Sequence, residues 1–173
     1  MSVTDQVLSA NQKYAANFHQ GDLAMPPARA LAVLACMDAR INVEDALALD
    51  LGDAHVIRNA GGIASEDAIR SLIISHHLLG TQEFVVINHT DCGMLTFDDH
   101  ELAQRLEDTT GQAVVAPVHF HAFKDIEANV RQQVSRIRSH PWIPEHITVR
   151  GFVYDVKTGR LHEVEQQSLA KTA

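Results

Sequence analysis

Residues 30–37 read Ala30-Leu31-Ala32-Val33-Leu34-Ala35-Cys36-Met37. An unbroken apolar run of this length suits a strand covered on both faces, as in a parallel sheet. Two later stretches have the same character: His55-Val56-Ile57-Arg58, broken by Gly61-Gly62, and Phe84-Val85-Val86-Ile87-Asn88. The segments between them are helical in pattern. Val43 to Leu49 predicts a short helix. Ser65 is a candidate N-cap, with Glu66 and Asp67 in the first turn, Ile69, Leu72, Ile73 and His76 at helical spacing, and Gly80 where a helix should stop. Asp98 to Thr109 predicts another helix. So does Phe123 to Arg138, with a stripe of Phe123, Ile126, Val130, Val134 and Ile137, closed by Pro141. Ile147 to Val156 reads as a last long strand that Lys157-Thr158-Gly159 turns into a hairpin with Leu161 to Val164.

Working back toward the N-terminus, Thr4 to Phe18 predicts a helix ended by Pro26-Pro27, with Val7, Leu8, Tyr14 and Ala15 able to pack on a partner subunit. The alternation of strands and helices predicts an α/β fold: a mainly parallel central sheet flanked by helices, with a C-terminal β-hairpin. No repeat, low-complexity tract or long linker interrupts it, so one domain is expected over residues 1–173.

Composition narrows the function. Apolar residues make up 46% of the 173, enough for a packed core, but only 5% are aromatic, so that core is aliphatic. Lys plus Arg number 14 against 22 Asp plus Glu, a net charge of -8 that repels phosphate backbones and argues against a nucleic-acid partner. No stretch reaches the roughly 18 unbroken apolar residues of a membrane span. Met1-Ser2-Val3-Thr4-Asp5-Gln6 has none of the basic-then-apolar pattern of a signal peptide, so the expected compartment is the cytoplasm. There are two cysteines, Cys36 and Cys92. In a secreted chain they would suggest one disulfide; in a cytoplasmic chain they are either inert buried thiols or serve metal binding or catalysis.

The neighbours of the cysteines favour metal. His89-Thr90-Asp91-Cys92 sets an imidazole and a thiol three residues apart just after a buried strand. Cys36 ends the first strand, and parallel sheets place their sites beyond the carboxyl ends of strands, near a switch in strand order. Two sulfurs and one imidazole nitrogen suit zinc, and three protein ligands leave the open fourth position of a catalytic site. Cys36, Asp38 and Arg40 alternate, so an extended segment would project all three to one side, with Arg40 holding Asp38 ionised. The plain alternative for that pair is a surface ion pair at a strand end. Arg58-Asn59-Ala60-Gly61-Gly62 offers glycines that let backbone amides approach a ligand or merely make a turn.

Taken in order, Cys36-x-Asp38-x-Arg40, Arg58-Asn59-Ala60-Gly61 and His89-x-x-Cys92-Gly93 resemble the β-carbonic anhydrases, the short microbial type above all, over about residues 30–97. The resemblance implies one zinc per chain held by Cys36, His89 and Cys92, a catalytic dyad of Asp38 and Arg40, and Gly61 on the pocket wall. It implies hydration of carbon dioxide to bicarbonate by water that the metal activates, in a homodimer or homotetramer. It also implies a closed state in which Asp38 turns onto the metal at lower pH. Two thiolates cancel the metal's double charge, so activity is expected to rise on the alkaline side. The segment Leu49-Asp50-Leu51-Gly52 lacks the glutamine that plant-type members carry there, which leaves the pocket lining different. The alternatives are hydrolysis of carbonyl sulfide or carbon disulfide at the same site, and a non-catalytic zinc scaffold, which would have no use for Asp38 and Arg40. His55, His76 and His77 are read as structural or surface histidines rather than proton shuttles.

Overall fold

The computed structural model describes residues 1–113 and 119–166. Its elements run α1 (Val3–Ala16), β1 (Leu31–Cys36), α2 (Val43–Leu47), β2 (Ala54–Asn59), α3 (Glu66–Leu79), β3 (Glu83–His89), a 3-10 turn (Gly93–Leu95), α4 (Asp99–Thr110), α5 (Ile126–Arg138), β4 (Thr148–Tyr154) and β5 (Leu161–Glu163). The five strands form one sheet in the order β2-β1-β3-β4-β5. Contacts from β2 through β4 are parallel, and β5 returns antiparallel to β4 as the expected hairpin.

Both faces of the sheet are covered, which is why its central strands read as continuous apolar runs. On one face Ala32, Leu34, Phe84 and Val86 meet Ile69 and Leu72 of α3 and Val130, Val134 and Ile137 of α5. On the other, Val33, Ala35 and Ile87 meet Ile41, Val43 and Met94. Each fully buried aliphatic side chain contributes roughly 1.5–3 kcal/mol. Helix α5 lies so close to β4 that a Cβ at Gly151 would come within 2.4 Å of Val130. The helix therefore requires glycine at that strand position.

The capping signals decide the helix limits. Ser65 accepts from the Ala68 N–H at the start of α3, and Gly80 closes it in the left-handed region at φ +76°. Several limits differ from the sequence expectation; helix α2 ends at Leu47 rather than Leu49, with Ala48 in the left-handed region at φ +50°. Helix α5 begins at Ile126, not Phe123, because the Asp125 side chain caps it by accepting from the Ala128 N–H. Phe123 packs instead on the opposite core, with its N–H bonded to the Met94 carbonyl. Helix α1 ends at Ala16, well before Pro26-Pro27, where Asn17 caps it by donating to the Lys13 carbonyl.

Candidate metal centre

Strand order reverses at β1. Chain order goes from β1 to β2 on one side, and the next strand, β3, lies on the other side of β1. The carboxyl ends of β1 and β3 are thus adjacent at the switch point, where open α/β sheets bind ligands. Cys36 is the last residue of β1 and His89 the last of β3; Cys92 follows three residues on. All three are buried, and their ligand atoms lie within 4.8 Å of one another. A tetrahedral zinc with bonds of about 2.0–2.3 Å needs its ligands about 3.3–3.8 Å apart. Neither cysteine is in a disulfide.

The histidine is prepared for a metal. Its Nδ1 lies 2.9 Å from the Thr90 carbonyl oxygen, which can only accept, so Nδ1 carries the proton and Nε2 presents a lone pair. Among the described residues, His89 Nε2 is the one buried side-chain nitrogen or oxygen without a hydrogen-bond partner. An orphaned buried acceptor is costly, and a metal ion would remove that cost. Thr90 is anchored in turn: its N–H donates to the Tyr154 carbonyl of β4, and its Oγ1 accepts from the Val156 N–H.

The sulfurs share charge unequally. A hydrogen bond from Cys92 draws Cys36 well below the usual thiol range, helped by contacts with His89 and by the Asp38 and Gly61 N–H groups, against the opposing effect of burial. The same pairing, with burial, pushes Cys92 upward. Burial opposes charge on His89, while the neighbouring Cys36 thiolate favours a positive charge at the ring, which a metal at Nε2 would supply in place of a second proton. This electron-rich pocket attracts cations.

Asp38 and Arg40 come together, though not along an extended segment. The chain turns after Cys36: the Arg40 N–H donates to Asp38 Oδ1, and the Ile41 N–H donates to the Asp38 carbonyl. The Arg40 guanidinium grips both carboxylate oxygens, with Nε 2.9 Å from Oδ1 and Nη2 2.8 Å from Oδ2. Those bonds hold Asp38 far below the usual carboxylate range. Asp38 Oδ2 stands 3.7 Å from His89 Nε2, beside the donor set.

The sequence reading passed over Asp91. Its carboxylate accepts from Arg40 Nη1 at 2.7 Å and its carbonyl from Nη2 at 2.9 Å, so the ligand loop and the dyad share one guanidinium. Asp91 adopts a left-handed backbone at φ +55°, a region that aspartate tolerates better than most residues. No spacing rule pairs residues 40 and 91; their meeting depends on the parallel register of β1 and β3. Arg58 also has a role that the sequence did not show. Its guanidinium donates to the carbonyls of Cys36 and Asp38, pinning the turn that carries the dyad. Gly61 lies against Cys36, its N–H donating to the sulfur at 3.3 Å. The three histidines considered above bond to groups outside the site. His55 meets Ser75, His76 the Thr81 carbonyl and His77 the Trp142 carbonyl, each at 2.7 Å.

Comparison with known proteins agrees with this geometry. The family model described as "Carbonic anhydrase" matches residues 31–161. "Beta-carbonic anhydrase 1" of Mycobacterium tuberculosis is 47% identical over 165 residues, covering 95% of this chain and 99% of the relative. "Carbon disulfide hydrolase" of Acidithiobacillus thiooxidans is 38% identical over 157 residues, 80% of this chain and 79% of the relative. Among solved structures, a carbonic anhydrase from Streptococcus mutans superposes with a TM-score of 0.91 at 43% identity, covering 95% of this chain and 99% of that one.

Proposed function

Because the chain belongs to the β-carbonic anhydrase family, we propose that it catalyses the reversible hydration of carbon dioxide to bicarbonate with one zinc held by Cys36, His89 and Cys92. The observation that carries this reading is the unpartnered, buried His89 Nε2 converging with two thiols, next to a carboxylate kept ionised. When bound, zinc supplies Lewis acidity that lowers the pKa of water to near neutrality.

The protein's own groups then orient the chemistry. Asp38 stays a carboxylate because Arg40 binds both of its oxygens, so it can only accept hydrogen bonds. At Oδ2 it would accept a hydrogen bond from the attacking solvent, which keeps its proton, and so point the solvent lone pair at the carbon. Arg40 keeps Asp38 from rotating and, through Asp91, ties it to the loop that carries His89 and Cys92. Gly61 backs the Cys36 sulfur with an N–H donor. A non-catalytic scaffold would have no use for Asp38 and Arg40. In Asp38→Ala, turnover should fall while zinc stays bound; unchanged turnover rejects the role given to Asp38.

The second reading, hydrolysis of carbon disulfide or carbonyl sulfide, is favoured by the relative that carries the hydrolase name. Stopped-flow hydration of carbon dioxide beside sulfide release from carbonyl sulfide separates the two. We read residues 1–173 as one domain acting as a homodimer or homotetramer on a small-molecule substrate. In support, α1 has no buried residue, and Val3, Val7, Leu8 and Tyr14 are exposed. A lone helix of 14 residues is marginal without a surface to cover it. We place the protein in the cytoplasm, where two free thiols stay reduced. Among the described residues no helix is long and apolar enough to cross a membrane.

A further inference from the structure

Three buried amide side chains, Asn88, Asn129 and Gln133, lie end to end between α5 and the loop behind Cys36. The Ala64 N–H donates to Gln133 Oε1 at 3.0 Å, and Gln133 Nε2 donates to Asn129 Oδ1 at 2.8 Å. Asn129 Nδ2 donates to Asn88 Oδ1 at 2.7 Å, and Asn88 Nδ2 donates to the Gly61 carbonyl at 2.8 Å. Both ends of this chain lie on the loop of residues 61–64, and the Gly61 N–H donates to the Cys36 sulfur.

The polarity of the chain is fixed from outside. One end is a backbone donor and the other a backbone acceptor, so each amide between them has a single permitted orientation. The four bonds point the same way and polarise one another. Asn129 and Gln133 stand four residues apart on the face of α5 that also buries Val130 and Val134, where apolar side chains would have filled the same space. Asn59 braces the loop from its other side, donating to the Ile63 carbonyl and accepting from the Ile63 N–H, both at 2.7 Å.

We infer that Asn129 and Gln133 are positioning residues for the metal, acting through Asn88 to hold the Gly61 N–H on the Cys36 sulfur. The inference rests on the zinc reading above. A thiolate that accepts an N–H bond gives less charge to a metal and keeps one orientation, and partners of this kind typically change metal affinity about 10–100-fold.

The test uses the full-length protein with zinc, measured by chelator competition, and with cobalt in place of zinc, read by the sulfur-to-metal charge-transfer band. Asn129→Ala breaks the chain in the middle. Gln133→Met keeps side-chain length and removes the two bonds at the Ala64 end, from the Ala64 N–H and to Asn129 Oδ1, while Asn129, Asn88 and Gly61 stay linked. Val130→Ala, on the same helix and fully buried, removes packing and leaves the chain intact. In both chain variants zinc affinity should fall about 10-fold or more, because the loss of a fixed Cys36 orientation outweighs the extra charge the freed sulfur gives, and the cobalt band should move to longer wavelength as the sulfur loses its donor. Val130→Ala should do neither, even where it costs as much stability. Equal affinity and an unmoved band in the chain variants overturn the inference. So does failure of both chain variants to fold while Val130→Ala folds, because the amides would then be structural. If the parent protein binds no zinc, the metal reading fails with it; parent binding with unaffected variants removes this inference alone.

Discussion

Gly62→Ala puts the geometry behind the metal centre to a quantitative test. Gly62 has φ +61°, and a Cβ there would stand 2.8 Å from the Ile87 carbonyl oxygen, 2.9 Å from Asn88 Nδ2 and 3.0 Å from the Cys36 nitrogen. Two of these neighbours are backbone of β1 and β3, and the third is held by Asn129, so none can turn aside. Gly80 is a matched control: its φ is +76° and nothing lies within 4 Å of its Cβ position. Both substitutions carry the left-handed penalty of about 1–2 kcal/mol, offset by about 0.4–1 kcal/mol from the stiffer unfolded chain. Only Gly62→Ala adds overpacking, about 1–3 kcal/mol. Gly80→Ala should therefore cost about 1 kcal/mol and Gly62→Ala about 2–4 kcal/mol. Urea unfolding at matched protein and zinc concentrations reads the difference directly. Gly62→Ala should also weaken zinc binding, since relief of the clash moves Asn88 or the Cys36 backbone, whereas Gly80→Ala should not. Equal destabilisation by the two substitutions would show that the loop has room, and the account of a tightly held site would be wrong.

Asp91→Ala frees one side of the Arg40 guanidinium; turnover of carbon dioxide should drop about tenfold with zinc content unchanged, which metal analysis beside stopped-flow kinetics checks. Chelation should abolish hydration, and added zinc should restore it at one equivalent per chain by titration. Arg150 holds the Glu163 carboxyl below its usual value of 4.5. The stability from that exposed pair is present above pH 4.5 and lost as the pH falls through the depressed value. Glu163→Gln should thus melt slightly lower than the parent at pH 7 in low salt, with the two curves converging in acid. Val130→Ala removes two buried methyl groups, one of them facing Gly151, and should cost about 1–3 kcal/mol by urea unfolding.

The sequence disclosed what local rules govern. The apolar runs at 30–37 and 84–88 declared buried strands, observed as Leu31–Cys36 and Glu83–His89, and the capping residues Ser65 and Gly80 bounded α3 to the residue. The proposed metal ligands were legible because their side-chain chemistry is rare and they stand at or just beyond strand ends. The start of α5 was not, since the apolar stripe continues through Phe123 and only the Asp125 cap separates helix from loop. The Arg40–Asp91 bond and the amide chain were illegible for another reason. Each joins residues more than 40 positions apart, Arg40 to Asp91 and Asn88 to Asn129, through common polar side chains that carry no motif.

Topology explains why the loop after β2 is the one that matters. Strand β2 lies on one side of β1 and β3 on the other, so the connection through α3 must cross the carboxyl end of β1. It crosses just above Cys36, where the loop meets Cys36 nitrogen and the Ile87 carbonyl at the closest approach that glycine allows. A loop forced over a strand end brings its N–H groups to that strand's last side chain, here the Cys36 sulfur. The crossing leaves the Gly61 carbonyl and the Ala64 N–H buried and in need of partners, which α5 supplies through its amides. The connection that creates the switch point thus also delivers a hydrogen bond to the Cys36 sulfur. An apolar α5 at positions 129 and 133 could cover the same sheet but could not satisfy that loop.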